Sequence, residues 1–290
     1  AFAFSQLTDV NGRIPRQTIL EHWKNASVTR NQNNYTFNVS KSGFASLFRS
    51  INVTSNRDEV FILNPINNTI NSCTTLNESS TTYYLISNLN STGTCINITA
   101  NNITLKGSNY KISYGTSTSA NVYGIQVINA NGTIIRNVIV QQVNPIGSGK
   151  AGIYLNKGNN AFIYNTSITT NGTSAHGIRV TSSSFNVISN NTIVTYGATA
   201  HAIQPGANSN VTSNNITTNG TGAGVSIDEN VTIKENVILI RGSAHGIQAG
   251  GLKSVSVLNN NITNLGNGRG ISFTLSGSDY AVITGNIINI

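Results

Sequence analysis

The chain has 290 residues and a formal net charge of +8, although only 9% of its residues are charged. Its Lys and Arg residues are scattered singly without interleaved aromatics, which argues against nucleic-acid binding. No apolar run approaches the ~18 residues that a membrane span needs. The basic balance instead favours acidic polysaccharide as a partner, and a surface of Asn, Thr, Ser and Gly is typical of an exported protein.

Residues 1–60 follow no repeat and are predicted to form an N-terminal extension or cap. The chain contains no Met and begins Ala1, Phe2, Ala3, Phe4, which is typical of a mature extracellular protein after removal of a leader. This apolar tail is a candidate for strand addition to a neighbouring subunit. Pro15 followed by Arg16–Lys24 predicts a short helix that covers the end of the next domain.

A short phrase returns every 22 to 28 residues in the second half of the chain. It consists of a small residue, then Ile or Val, then a polar residue, and it begins at Gly124, Gly152, Gly177, Ala202, Gly224, Gly246 and Gly270. Apolar residues alternate with polar ones within each copy, which is the period of a strand. A period of this length accommodates three short strands with their turns, but not paired helices.

The periodicity therefore predicts an all-β fold, a single-stranded parallel β-helix over residues 61–290. Stacked coils place equivalent side chains above one another about 4.8 Å apart. An Asn recurs behind each copy of the phrase and is predicted to form an Asn ladder, because the amide can satisfy backbone groups in tight turns. The predicted ladder residues are Asn137, Asn165, Asn191, Asn215, Asn236, Asn261 and Asn286.

From residue 60 onward the chain resembles the right-handed parallel β-helix superfamily, which includes pectate-lyase-like proteins and the secreted NosD-like surface proteins of archaea and bacteria. The segment Cys95–Gly107 resembles the first full coil of those proteins. The resemblance implies a right-handed coil, export and, with the sequon density, an archaeal source. It indicates the fold far more than the function.

Cys73 and Cys95 lie one coil length apart and are predicted to form a disulfide near the start of the β-helix, although a reduced buried pair is the alternative.

Eighteen Asn residues begin the Asn-x-Ser/Thr pattern of N-glycosylation. Chance accounts for part of this number in a chain so rich in Asn, Thr and Ser. We expect N-linked glycans chiefly on loop sequons, whereas Asn165, Asn215 and Asn261 are expected to remain bare because they are assigned to the ladder. The other candidates are Asn25, Asn34, Asn38, Asn52, Asn67, Asn77, Asn90, Asn97, Asn102, Asn131, Asn171, Asn190, Asn210, Asn219 and Asn230.

The sequence gives little support to an enzymatic function. Glycoside hydrolysis needs two positioned carboxylates, and residues 110–290 contain only Asp228, Glu229, Glu235 and Asp279. We interpret these as solvated turn residues and assign no catalytic residue, cofactor or metal.

Three histidines occupy equivalent places in the repeat. His176, His201 and His245 each precede the small residue of the phrase. A stacked pair in a turn column is the simpler interpretation, and a two-imidazole metal contact is the alternative.

The last coil carries alternating apolar residues up to the end of the sequence. Ile287, Ile288 and Ile290 are therefore predicted to contact another copy of the chain, together with the N-terminal tail. The sequence favours a non-catalytic, glycosylated extracellular protein that assembles into a filament, sheath or surface layer. A monomeric adhesin or carbohydrate-binding β-helix is the alternative, and a polysaccharide lyase or hydrolase is a weaker one.

Overall fold

A computed structural model describes residues 22–25, 28–31, 34–41, 44, 46–52, 59–63, 68–227, 229–250, 254–274 and 280–290. The chain divides into two compact units, residues 1–66 and 67–290. No helix that could span a bilayer occurs in the described part of the chain.

The N-terminal unit contains two antiparallel strand pairs. They are β1 (His22–Asn25) with β2 (Val28–Asn31), and β3 (Asn34–Val39) with β4 (Leu47–Asn52). The helix predicted over Arg16–Lys24 is therefore wrong for its last three residues, which belong to β1. Pairing with β2 outweighs a weak local helical preference there. The earlier residues of the predicted helix lie outside the described residues.

The second unit is built from short strands joined by tight turns. Its first fourteen strands are β5 (Thr69–Ile70), β6 (Thr74–Leu76), β7 (Thr82–Leu85), β8 (Leu89–Asn90), β9 (Ile96–Ile98), β10 (Thr104–Lys106), β11 (Lys111–Tyr114), β12 (Ile125–Ile128), β13 (Ile134–Arg136), β14 (Ile139–Gln142), β15 (Ile153–Asn156), β16 (Phe162–Tyr164), β17 (Ser167–Thr170) and β18 (Ile178–Thr181). The remaining fourteen are β19 (Val187–Ser189), β20 (Thr192–Thr195), β21 (Ile203–Gln204), β22 (Asn210–Thr212), β23 (Asn215–Thr218), β24 (Val225–Ile227), β25 (Val231–Lys234), β26 (Val237–Ile240), β27 (Ile247–Gly250), β28 (Ser254–Leu258), β29 (Asn261–Asn264), β30 (Ile271–Thr274), β31 (Tyr280–Thr284) and β32 (Ile287–Asn289).

These strands form three parallel sheets in which each strand pairs with its equivalent in the next coil. Sheet 1 contains β6, β9, β12, β15, β18, β21, β24, β27 and β30; sheet 2 contains β5, β7, β10, β13, β16, β19, β22, β25, β28 and β31; sheet 3 contains β8, β11, β14, β17, β20, β23, β26, β29 and β32. The result is the parallel β-helix that the repeat predicted, with the right-handed coil that the family resemblance implied.

The core is a set of stacked aliphatic columns inside the coil. In sheet 1, for example, Ile125, Ile153 and Ile178 are in register and fully buried. Strand alternation directs every second side chain inward, so each new coil covers the aliphatic residues of the previous one.

The glycine of the repeated phrase is required by close stacking of the coils. A Cβ atom at Gly152 would lie 2.8 Å from the carbonyl oxygen of Gly177 and 2.4 Å from the Cγ2 atom of Ile168. Gly177 meets the same restriction from the carbonyl of Ala202, at 2.5 Å. The small residue therefore allows the wall of one coil to approach the next.

Candidate polysaccharide-binding surface

Tyr154 and Arg179 lie on the outer face of sheet 1, and the buried Tyr123, just before β12, packs against Tyr154. Gln126, Tyr154 and Arg179 are in register on consecutive strands β12, β15 and β18. The rings of Tyr123 and Tyr154 stack with centroids 4.5 Å apart, and the Arg179 guanidinium carbon lies 5.7 Å from the Tyr154 centroid. We call Tyr123, Tyr154 and Arg179 the sheet 1 site.

The guanidinium of Arg179 has an unused donor. Its Nε atom is buried and has no hydrogen-bond partner in the structure. Residues 79–227 contain no Asp or Glu, whereas they contain Lys106, Lys111, Arg136, Lys150, Lys157 and Arg179. The site therefore offers a positive planar donor beside an aromatic platform.

Electrostatics of the site disfavour ionised tyrosine. Burial raises the pKa of Tyr123, and the neighbouring Tyr154 raises it further, while Arg179 lowers it. The hydroxyl of Tyr154 is 3.0 Å from the Thr181 hydroxyl, which orients it. The Tyr123 phenol is consequently neutral, and the Tyr154 hydroxyl is held by its hydrogen bond.

The column of His176, His201 and His245 borders this site and has a structural role. The backbone N–H groups of His201, Ala223 and Arg269 donate to the Nδ1 atoms of His176, His201 and His245, respectively, at 2.9 to 3.0 Å. His176 and His201 stack with centroids 5.2 Å apart, as the simpler interpretation predicted. Because each Nδ1 atom accepts a hydrogen bond, the ring proton is on Nε2, and neither nitrogen has a free lone pair for the two-imidazole metal contact.

Burial is the main reason why His176 stays neutral. It lowers the pKa of His176 to about 3, with further lowering from His201 and Arg179. Burial also lowers the pKa of His201. Among the described residues, no group of three or more His, Cys, Asp or Glu side chains could hold a metal ion.

Neither of the two described acidic residues considered from the sequence, Glu229 and Glu235, belongs to the sheet 1 site. Glu235 is exposed in a turn and pairs with Lys234 at 3.0 Å, and Glu229 lies in a bend. Asp228 and Asp279 fall outside the described residues.

The predicted disulfide is present. Cys73 and Cys95 are bonded, with Cα atoms 4.6 Å apart, because the stacking of β6 on β9 brings them together. This bond indicates an oxidising compartment and hence an exported protein.

The Asn ladder exists, but its members differ in part from those predicted. Each Nδ2 atom donates to the Oδ1 atom of the Asn in the next coil, at 2.9 to 3.0 Å, through Asn191, Asn214, Asn236, Asn260 and Asn286. Asn191, Asn236 and Asn286 were therefore assigned correctly.

The other four predicted ladder residues occupy neighbouring columns. Asn137 and Asn165 take the left-handed conformation one position before the ladder, with φ of 54° and 52°. Asn215 and Asn261 are the first outward residues of β23 and β29, one position after it. The two-residue turn between sheets 2 and 3 makes these three columns adjacent, so sequence spacing alone misassigns them by one.

An Asn of the ladder cannot also be the first residue of a sequon, for a geometric reason. Two residues after a ladder Asn the chain needs an inward aliphatic residue, such as Ile216 after Asn214, so Ser or Thr cannot stand there. In Asn215-Ile216-Thr217 the Asn and Thr both point outward. The expectation that Asn165, Asn215 and Asn261 point inward is thus wrong, since all three are exposed.

The other sequons with described side chains all reach the surface to some degree. Asn97, Asn171 and Asn219 are half-buried, and the exposed ones are Asn34, Asn38, Asn52, Asn77, Asn90, Asn102, Asn131, Asn190, Asn210 and Asn230. The side chains of Asn25 and Asn67 fall outside the description. Glycan attachment itself stays a prediction.

Assembly with other copies of the chain also stays a prediction. Ala1, Phe2, Ala3 and Phe4 lie outside the described residues. Ile287, Ile288 and Ile290 are 60%, 41% and 84% exposed. A further coil would cover these residues as well as a second subunit would, so their exposure favours no particular contact.

The sequence matches the profile of the family described as right handed beta helix region over residues 123–288. The chain belongs to this family. Among curated proteins, none matches the sequence.

Two solved structures are similar to the chain at a low level. The crystal structure of the Dettilon tailspike protein gp208 is 14% identical, with a TM-score of 0.43 over 76% of this chain and 53% of the tailspike. This chain thus spans about half the tailspike's length. A double mutant of the periplasmic alginate epimerase AlgG is 11% identical, with a TM-score of 0.37 over 72% of this chain and 75% of the epimerase. Similarities at this level carry no argument about function.

Proposed function

We propose that this protein is an exported, non-catalytic β-helix that binds acidic polysaccharide through the sheet 1 site. The observation that carries the proposal is the Arg179 guanidinium, which packs against the Tyr154 ring within residues 79–227, a stretch that contains no Asp or Glu. Guanidinium groups pair with carboxylate and sulfate in a planar, two-pronged geometry. An aromatic face beside such a cation suits the apolar face of a sugar ring.

Binding fits the chemistry of the site better than turnover does. A hydrolase needs two carboxylates, and the outward column of sheet 1 from β9 to β21 reads Asn97, Gln126, Tyr154, Arg179 and Gln204. A lyase or epimerase needs a basic group that removes a carbon-bound proton. The two adjacent histidines use their Nδ1 lone pairs on backbone N–H groups, and the pKa of Tyr123 is raised.

The proposal is tested by calorimetric titration of the purified protein with a polyuronate, a sulfated glycan and a neutral glucan. We expect binding to at least one of the anionic polymers, and binding about tenfold weaker in Arg179→Gln. Arg241→Gln is the matched control, because Arg241 is exposed in a later turn, and it should bind as the wild type does.

Two results would overturn the proposal. If the wild-type protein bound neither anionic polymer, acidic polysaccharide would not be its ligand. Shortened, unsaturated or epimerised chains after prolonged incubation, detected by mass spectrometry and NMR, would show that the protein is an enzyme.

A further inference from the structure

A second column of cationic and aromatic side chains lies on the outer face of sheet 2. Tyr84, Lys106, Arg136 and Tyr164 are in register on the consecutive strands β7, β10, β13 and β16. Coils stack about 4.8 Å apart, so the column extends roughly 14 Å along the axis of the β-helix. We call these four residues the sheet 2 track.

Each cation of the track is held by a tyrosine. The Lys106 ammonium donates to the Tyr84 hydroxyl at 3.1 Å and lies 4.7 Å from the ring centroid. The Arg136 guanidinium carbon lies 5.9 Å from the Tyr164 centroid. Aromatic contacts orient a cation without neutralising its charge. Lys106 and Arg136 therefore remain two adjacent, ordered positive charges.

The part of the sequence that forms the track and the coils directly after it lacks acidic residues. Residues 79–227 contain no Asp or Glu, and the ion pairs found among the described residues, Arg49–Glu59 and Lys234–Glu235, do not involve the track. Lys234 stands in the same outward column three strands beyond Tyr164, and it does have a carboxylate partner. Charge complementarity at the track thus calls for an external anion.

The column beside the track is apolar next to Arg136 and Tyr164. Ile134 and Phe162 are in register there, the Phe162 side chain is 45% exposed, and the column continues as Thr104 and Thr82 beside Lys106 and Tyr84. Exposed aromatic surface next to ordered cations suits a polymer that carries both anionic groups and apolar faces. A polysaccharide with carboxylate or sulfate groups has both properties.

We infer that the sheet 2 track is a second binding surface for anionic polysaccharide, on which the polymer runs parallel to the axis of the β-helix. This inference rests on the proposed function, because it assigns the same class of ligand to another face. Two surfaces on adjacent sheets would let one protein engage a polymer at two places and raise the overall affinity.

The test compares three variants of the full chain by calorimetric titration. The track variant is Lys106→Gln/Arg136→Gln, the matched control is Lys234→Gln, and Arg179→Gln reports on the sheet 1 site. Titration with a polyuronate and with a sulfated glycan distinguishes recognition of carboxylate from recognition of sulfate. Single-stranded DNA of equal charge tests whether the ligand is a nucleic acid instead. Thermal unfolding of each variant checks that the fold is intact.

We expect the track variant to bind the preferred anionic glycan about tenfold more weakly, with a smaller salt dependence, while Lys234→Gln binds as the wild type does. Wild-type binding that is unchanged in the track variant would overturn this inference and leave the sheet 1 site standing. Wild-type binding that is unchanged in Arg179→Gln but lost in the track variant would overturn the sheet 1 site alone. DNA binding as tight as glycan binding would overturn the choice of polysaccharide.

Discussion

The ammonium group of Lys150 lies inside the fold, 2.7 Å from the carbonyl oxygen of Ser117. It also donates to the carbonyls of Gly115 and Asn144, at 3.2 and 3.3 Å, and the Lys150 side chain is fully buried. Burial lowers the pKa of Lys150. A single cation thereby joins the turn after β11 to the turn after β14.

Replacing Lys150 should loosen both turns. We expect Lys150→Met to lower the free energy of unfolding by about 1–3 kcal/mol, because three buried or partly buried carbonyl groups lose the hydrogen bond from the ammonium group. Urea unfolding measures the effect, with the exposed Lys157→Met as the control. A Lys150→Met variant as stable as the wild type would show that water replaces the ammonium.

Acidic pH should destabilise the fold through His176. The folded-state pKa of His176 is about 3 against 6.5 for the free side chain, so the unfolded chain binds more protons between these values. Stability is complete above pH 6.5 and falls by up to about 1.4 kcal/mol per pH unit below it. Urea midpoints measured from pH 7 to pH 4 test this expectation.

The variant His176→Ala should flatten that pH profile, because Ala occupies the equivalent place in two other coils, at Ala151 and Ala223. His245→Ala serves as the control, since the column neighbours of His245 are Ala223 and Arg269. A profile of His176→Ala as steep as that of the wild type would assign the pH dependence to other groups.

Ladder and surface asparagines should respond differently to the same substitution. Asn214→Ala removes an amide that donates to Asn236 and to the Ile188 carbonyl, and we expect it to cost about 1–3 kcal/mol of unfolding free energy. Asn215→Ala, one residue later on the exposed face, should change it by less than about 0.5 kcal/mol. Equal losses in the two variants would contradict the assignment of the ladder.

Removing the disulfide should destabilise the β-helix. Its partners are separated by 22 residues, and on the chain-entropy account a loop of that length contributes about 3 kcal/mol. The double variant Cys73→Ala/Cys95→Ala should therefore unfold at lower urea concentration than the oxidised protein. An unchanged midpoint would mean that the first coils unfold separately from the rest.

Glycan occupancy should follow exposure. In protein from a glycosylating host, Asn215 and Asn261 should be modified more completely than Asn171, which is half-buried and has a buried Oδ1 atom. Mass spectrometry of glycopeptides measures the occupancy at each site. Higher occupancy at Asn171 would show that attachment precedes folding of the strands.

Neither of the two proposed binding surfaces was predicted from the sequence. The residues of the sheet 1 site and the sheet 2 track are tens of positions apart, and only the register of the coils makes Lys106, Arg136 and Tyr164 neighbours. The available signal was the absence of Asp and Glu from residues 79–227 together with basic residues among outward strand positions.

The sequence by itself determined the parallel β-helix, because strand alternation and a fixed repeat are local properties that the stacking of equivalent strands satisfies. It also predicted the pairing of Cys73 with Cys95 and the stacking of His176 on His201, without excluding a reduced cysteine pair or a metal contact. Tertiary structure alone decided that Asn214 rather than Asn215 enters the ladder, since a shift of one residue reverses the face of every side chain. It likewise decided that His22–Lys24 joins a strand, because pairing with β2 outweighs local preference.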